Sequence, residues 1–254
     1  MAKARTNHPG GPAIRAVDPW LPGNPTTRQL HQLLSDEERA QLATIATIVR
    51  FKKGEQIYSE GEHANTIFNI ISGVVKAYTS NATEHITAFL YPQDLFGLLE
   101  EGRYANSAVA VTPVTAYALP TSALRRELSK DAELEFHVIA KLCHELRQAQ
   151  RHALLLAQRH ALTKLAMFLE LQEHLQTSGE SSTAEIYLPM DRKDVAEFVG
   201  MSLEAVSRGF RDLAARRVIR IRDRRHIKVV DRGALESLAD GSTPHPLSVR
   251  AAGR

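Results

Sequence analysis

The chain has 254 residues, 43% of them apolar, and a formal net charge of only +3. That length suits two domains with a sizeable core, the weak net charge excludes a histone-like coating protein, and no run of about 18 uncharged apolar residues is present to span a membrane. The single cysteine, Cys143, excludes an intrachain disulfide and any zinc or iron–sulfur site built from several thiolates of one chain.

Residues 1–29 are expected to form a flexible arm. The first 25 hold five Pro and three Gly and no apolar period, and Trp20 and Leu21 are its only large apolar pair. No signal-peptide core is visible, so a cytoplasmic protein is expected. A helix then begins at Ser35-Asp36-Glu37-Glu38, where Ser35 is placed to cap and Glu38 to reach back. Leu42, Ile45 and Ala46 form its apolar stripe.

From Ile48 to Leu119 the period changes. Segments 48–51, 56–58, 66–71, 74–79, 86–91 and 108–111 are rich in β-branched and aromatic residues. Gly54, Gly61, Gly73, Pro92-Gln93-Asp94 and Pro113 interrupt them. Short strands with regular turn signals predict a small barrel or roll, placed within 30–135. Such a roll is expected to enclose a pocket, and a pocket there suggests an effector site.

Pro120-Thr121-Ser122 opens a helical region. Apolar or small residues recur at Ile139, Leu142, Leu146, Ala149, Ala153 and Leu156, spaced 3, 4, 3, 4 and 3 residues apart. That spacing is a heptad seam for two helices packed along their length, within a dimerisation helix over 136–160. A single amphipathic helix lying on its own domain is the alternative. A second apolar helix follows (Leu162, Leu165, Ala166, Phe168, Leu169), then a polar connector, together 161–183.

Residues 184–240 carry the densest signal. DRKDVAEFVGMSLEAVSRGFRDLAARR, residues 191–217, reads as helix, turn, helix. Val195, Ala196 and Val199 face inward on the first helix. Gly200 supplies the positive φ of a sharp turn. Ser202 stands at an N-cap before Leu203, Val206, Phe210 and Leu213. Glu204, Ser207 and Arg208 share one polar face, a set that suits base edges in a major groove. The alternative is an ordinary solvated face. The context favours DNA: 218–222 and 226–230 read as two strands with a turn at 223–225, a wing. Between Glu204 and Lys228 lie nine Lys or Arg against three acids. Cations gathered there suit phosphates. The expected base readers are Arg208 (to guanine), Glu204 (to the exocyclic amine of C or A), Ser207, and Arg211, which suits either role. The expected phosphate contacts are Arg192, Ser202, Arg222, Arg224 and Arg225. Residues 241–254 are read as a flexible tail.

The motif LPMDRKDVAEFVGMSLEAVSR, with its Glu204-x-x-Ser207-Arg208 spacing, resembles the CRP/FNR family of transcription regulators, in particular its FNR and FixK branch. ALLLAQRHALTKLAMFL resembles the end of that branch's dimer helix and the helix after it. GEHANTIFNIISGVVKAY and DLFGLLEEG carry the family's glycine rhythm. The resemblance covers residues 30–240. It implies an α+β chain: an N-terminal cyclic-nucleotide-binding-type β-roll, a long dimerisation helix and a C-terminal winged helix-turn-helix. It also implies a homodimer on double-stranded DNA, a TTGA-like palindrome, contact with RNA polymerase, and activation of promoters rather than enzymatic work.

The chain departs from the family at its sensor. Cyclic-nucleotide-binding members carry Gly-Glu for the ribose and Arg-Ser for the phosphate. Here Gly97 precedes Leu98, and Asn106 precedes Ser107. A buried phosphate without a cation is poorly held, so cyclic AMP is not expected. The N-terminal cysteine group of the oxygen-sensing members is missing too. Three options follow: no cofactor and no effector, a haem or gas sensor using His63 or His85 of the roll, or oxidation of Cys143. A catalytic cupin-type barrel is a rival reading, but it needs a compact His-x-His group, and none occurs between Ile48 and Leu119.

Overall fold

The computed structural model describes residues 36–81, 83–97, 99–176 and 185–241. The expected arm, the Ser35 cap, Leu98, residues 177–184 of the connector expected between Gln176 and Glu185, and residues 242–254 of the expected tail lie outside them. Helix α1 (Asp36–Ile45) leads into strands β1 (Thr47–Phe51), β2 (Gln56–Tyr58), β3 (Thr66–Ser72), β4 (Val75–Asn81) and β5 (Thr83–Leu90). Then come β6 (Leu95–Phe96), β7 (Leu99–Glu100), β8 (Arg103–Tyr104), β9 (Ser107–Ala110) and β10 (Val114–Pro120).

Two antiparallel sheets, ordered β1-β10-β3-β6 and β2-β9-β4-β5, close on one another. β10 was not among the segments expected as strands, yet it lies between β1 and β3. Its alternation of buried Val114, Ala116 and Leu119 with less buried neighbours makes it a wall of the core. The interior, expected to hold a pocket, carries a cluster of stacked rings. Tyr58 and Tyr104 stack at 3.9 Å, and Phe68 and Phe96 at 5.1 Å, with all four rings buried. Aromatic rings bury large areas and prefer such offset stacking, so these four side chains anchor the core of the roll.

After α2 (Thr121–Leu128) comes the long helix α3 (Ala132–Ala157), then α4 (Ala161–Gln176). α3 starts at Ala132, four residues ahead of the 136 expected for the dimerisation helix; Asp131 caps it, its side chain accepting from the Glu133 and Leu134 amides. The inward face of α3 is mixed. It holds Leu134, Leu155, His144, Arg151 and His152, and Lys141 joins Asp94 of the roll at 2.9 Å. Glu38 is buried beneath it, 2.6 Å from His137 Nδ1. Its outward face carries Phe136, Ile139, Leu142, Leu146 and Leu156.

The C-terminal unit holds β11 (Glu185–Tyr187), α5 (Arg192–Val199), α6 (Leu203–Ala215), β12 (Ile219–Ile221), β13 (His226–Val229) and α7 (Arg232–Ala239). Its core is continuous with α4 and with Val74, Ile86 and Phe89 of the roll. Glu170 of α4 lies beside α7. Burial, then the charges of Glu236 and Asp240, push its carboxyl up to about 7, and burial raises Glu145 as well. Both folded carboxyls keep protons that the unfolded chain releases near 4.5. Stability should therefore fall as pH rises from there to about 7. Urea midpoints across that window should show the fall, and Glu170→Gln should flatten it; a midpoint independent of pH would contradict the assignment.

Candidate nucleic-acid interface

Helices α5 and α6 meet at the turn read from the sequence. Asp191 caps α5 through the Asp194 amide, and Ser202 caps α6 through the Ala205 amide. Gly200 between them has φ 62° and ψ 50°. A Cβ there would also stand 3.1 Å from Leu156 Cδ2. Gly200→Ala should cost about 1–2 kcal/mol from the left-handed backbone alone, read as a lower urea midpoint at unchanged slope; an unchanged midpoint would show that the turn relaxes freely.

Val206, Phe210 and Leu213 are buried under α6, which fixes the helix's roll about its axis. The opposite face then stands in solvent. Glu204 and Arg208 are exposed and pair at 3.5 Å, and Ser207 is half-buried beside them. An exposed pair of this kind is worth at most about 1 kcal/mol, so both groups are free to change partners. Arg211 lies back along the helix, its Nε donating to the Ser207 carbonyl at 3.3 Å.

The wing is built by one carboxylate. Asp223 Oδ1 accepts from the Arg225 and His226 amides at 2.7 and 2.9 Å, and Oδ2 meets His226 Nδ1 at 2.8 Å. Those amide donors hold its carboxyl well below the usual range, at about 2. The turn places Arg224 at the exposed tip. Arg225 donates to the Tyr187 hydroxyl at 3.3 Å, and Arg222 reaches both Glu185 oxygens at 3.1 Å. Arg220 and Lys228 face each other across the strands, a like-charge pair that an anion would relieve.

Arg192, expected to contact a phosphate, also packs within the fold. Its guanidinium lies 3.9 Å from the Phe210 ring centroid, and burial pushes it below the usual arginine range. The half-buried side chain thereby joins α5 to α6.

Several supports were not expected. Strand β11 adds a third strand beside β13, and Gln176 ties it to α4 through both backbone groups of Tyr187. Its only sequence signal is the short alternation Glu185-Ile186-Tyr187-Leu188. Lys164 of α4 donates to the Val199 carbonyl at 3.0 Å, capping the end of α5. Lys76 of β4 pairs with Asp194 at 2.8 Å, linking roll and reading domain.

The roll's residues do not fit a cyclic phosphate. Asn106 Oδ1 takes the Tyr58 hydroxyl at 3.2 Å, and Ser107 Oγ takes the Glu60 amide at 2.9 Å. Nor do they fit an axial haem ligand within the roll, since His63 and His85 both lie exposed. Among the described residues no group of three or more His, Cys, Asp and Glu is gathered as a metal site, and no helix is long and apolar enough to cross a membrane.

Residues 48–131 match the family model for a cyclic nucleotide-binding domain, and residues 163–238 match that for a Crp-like helix-turn-helix domain. The chain is 30% identical over 224 residues to the nitrogen fixation regulation protein FixK of Azorhizobium caulinodans, covering 86% of this chain and 90% of that protein. It is 28% identical over 188 residues to the transcriptional activatory protein AadR of Rhodopseudomonas palustris, covering 73% and 79%. Among solved structures, FixK2 from Bradyrhizobium japonicum superposes with a TM-score of 0.70 at 28% identity, covering 76% of this chain and 97% of that one.

Proposed function

The chain belongs to the CRP/FNR family of DNA-binding transcription regulators, and on that premise we propose that it acts as a cytoplasmic homodimer that reads a TTGA-like palindrome and engages RNA polymerase at nearby promoters. Its relatives are transcription regulators, not enzymes. One observation carries the DNA-reading proposal: Glu204, Ser207 and Arg208 share the outward face of a helix whose other face is locked by Val206, Phe210 and Leu213. Support for the dimer comes from the apolar outward face of α3. Support for working without cyclic AMP comes from Asn106, which stands where a cation would pair with the phosphate and accepts from the Tyr58 hydroxyl. No iron–sulfur cluster is proposed, because Cys143 is the chain's one thiol.

Selection of preferred sites from a random duplex library tests the proposal. TTGA half-sites one duplex turn apart are expected; recovery of no enriched sequence would sink it. Arg224→Ala should weaken all duplexes alike and make the salt dependence shallower by about one unit per chain, as expected for one lost phosphate contact. A loss confined to one sequence would move Arg224 to the base-reading set.

A further inference from the structure

A small cavity lies where the roll, α3, α4 and α5 converge. It measures about 80 Å³. Phe89, Leu171 and Phe198 supply apolar wall, and Glu145, Gln148 and Gln172 supply the polar side. Gln172 is fully buried. Its Oε1 accepts from the Tyr91 hydroxyl, and its Nε2 has no partner among the described residues. Exchanging the amide's oxygen and nitrogen leaves the oxygen unspent instead, so one atom is free in either orientation. Gln148 Nε2 faces His144 Nε2 at 3.2 Å, while its buried Oε1 has no partner among the described residues. Two carboxamides, each with one polar atom unspent, thus line one partly open space, and buried groups of this kind are normally satisfied.

We propose that this cavity is an effector site for a small uncharged molecule bearing a carboxamide-like donor and acceptor. Its carbonyl would take the Gln172 donor, its N–H the Gln148 acceptor, and its short apolar end would meet Phe198 and Leu171. The volume is about half of the roughly 150 Å³ that takes benzene, so a short-chain amide fits and a nucleotide does not. An anion is disfavoured because Lys141 is already committed to Asp94 at 2.9 Å and Glu145 at 3.2 Å. Phe198 couples the site to DNA reading. Its ring stacks on His152 at 3.9 Å with 7° between planes, and its carbonyl oxygen lies 2.7 Å from His152 Nε2. An occupant pressing on Phe198 bears directly on α5, and α5 sets the angle of α6.

The site rests on the regulator reading only for its consequence, so binding and DNA affinity are measured separately. The full-length protein is titrated with propionamide, propionate and methylammonium by ligand-observed NMR. Propionamide is expected to saturate one site per chain in the millimolar range, the limit for so few atoms. Gln148→Leu and Gln172→Met should each weaken it at least tenfold, with melting curves confirming folded variants; Gln148 is only half-buried and is the safer of the two. Propionamide should also shift the apparent Kd for a TTGA palindrome. Non-saturating signals, equal responses in the variants, a preference for methylammonium, or saturation that leaves the Kd unmoved would each overturn the proposal. Saturation in a protein that binds no palindrome would sink the regulator reading and leave the site standing. Intact palindrome binding without saturation would do the reverse.

Discussion

Leu146→Asp should leave a folded monomer that has lost the palindrome. The residue is 59% exposed in the single chain, and Ile139, also on the seam, is 50% exposed. The helix that carries them buries Leu134, Leu155, two histidines and an arginine against its own fold and leaves Leu142, Leu146, Leu154 and Leu156 outside. So large an apolar face makes little sense for an isolated chain, because apolar area left in water forfeits about 25 cal/mol per Å². Against a second copy of α3 the same face becomes a core, with Phe136 extending the seam toward its N-terminus. Two carboxylates brought together across a two-fold axis would each lose water without gaining a counter-charge. The dimer should dissociate, and with it the linkage of two half-sites, which contributes roughly 10²–10⁴ in affinity. Sedimentation would report the mass and gel shifts the lost complex. A variant that stays dimeric would mean that another surface joins the chains.

Arg208→Ala should cost about 1–3 kcal/mol per half-site. A symmetric dimer loses the contact twice, so roughly 2–6 kcal/mol, or about 30- to 10⁴-fold, is expected on a full palindrome. The preference should relax at one base pair in each half-site and hold elsewhere. The 3.5 Å pair with Glu204 adds a second expectation. Glu204→Ala removes that guide as well as its own base contact, so the double variant should lose less than the sum of the singles. Binding curves against a panel of single-base changes decide it; full discrimination by the Arg208 variant would reject the base-reading assignment. Arg224→Ala is the internal contrast, weakening every sequence without altering rank.

Much of the reading domain was legible because its signals are short-range. Ser202 caps the Ala205 amide three residues on, Gly200 takes a left-handed φ, and Val206, Phe210 and Leu213 recur at helical spacing. Each involves neighbours within one turn of helix, so the order of residues is enough to see them. The wing strands announce themselves in the same way. β11 does not, since three residues carry too little alternation, and its place beside β13 depends on Gln176 reaching Tyr187. β10 was hidden for a different reason. Its small residues, Ala116 and Ala118, look unlike a strand until they are seen in one cluster with Tyr58, Phe68 and Phe51.

From the order of residues alone came the winged reading unit, the heptad spacing on the long helix, the polar face of Glu204, Ser207 and Arg208, and the missing cation before Ser107. All are patterns between residues close in the chain. Only the tertiary structure decided that Tyr58 and Tyr104 stack within the roll, that Arg192 lies on Phe210, and that Lys76 meets Asp194 across 118 residues. It alone placed Gln148 and Gln172 around one cavity. Such contacts join segments far apart in the chain, and no local period or cap records which distant side chain will fill a given space.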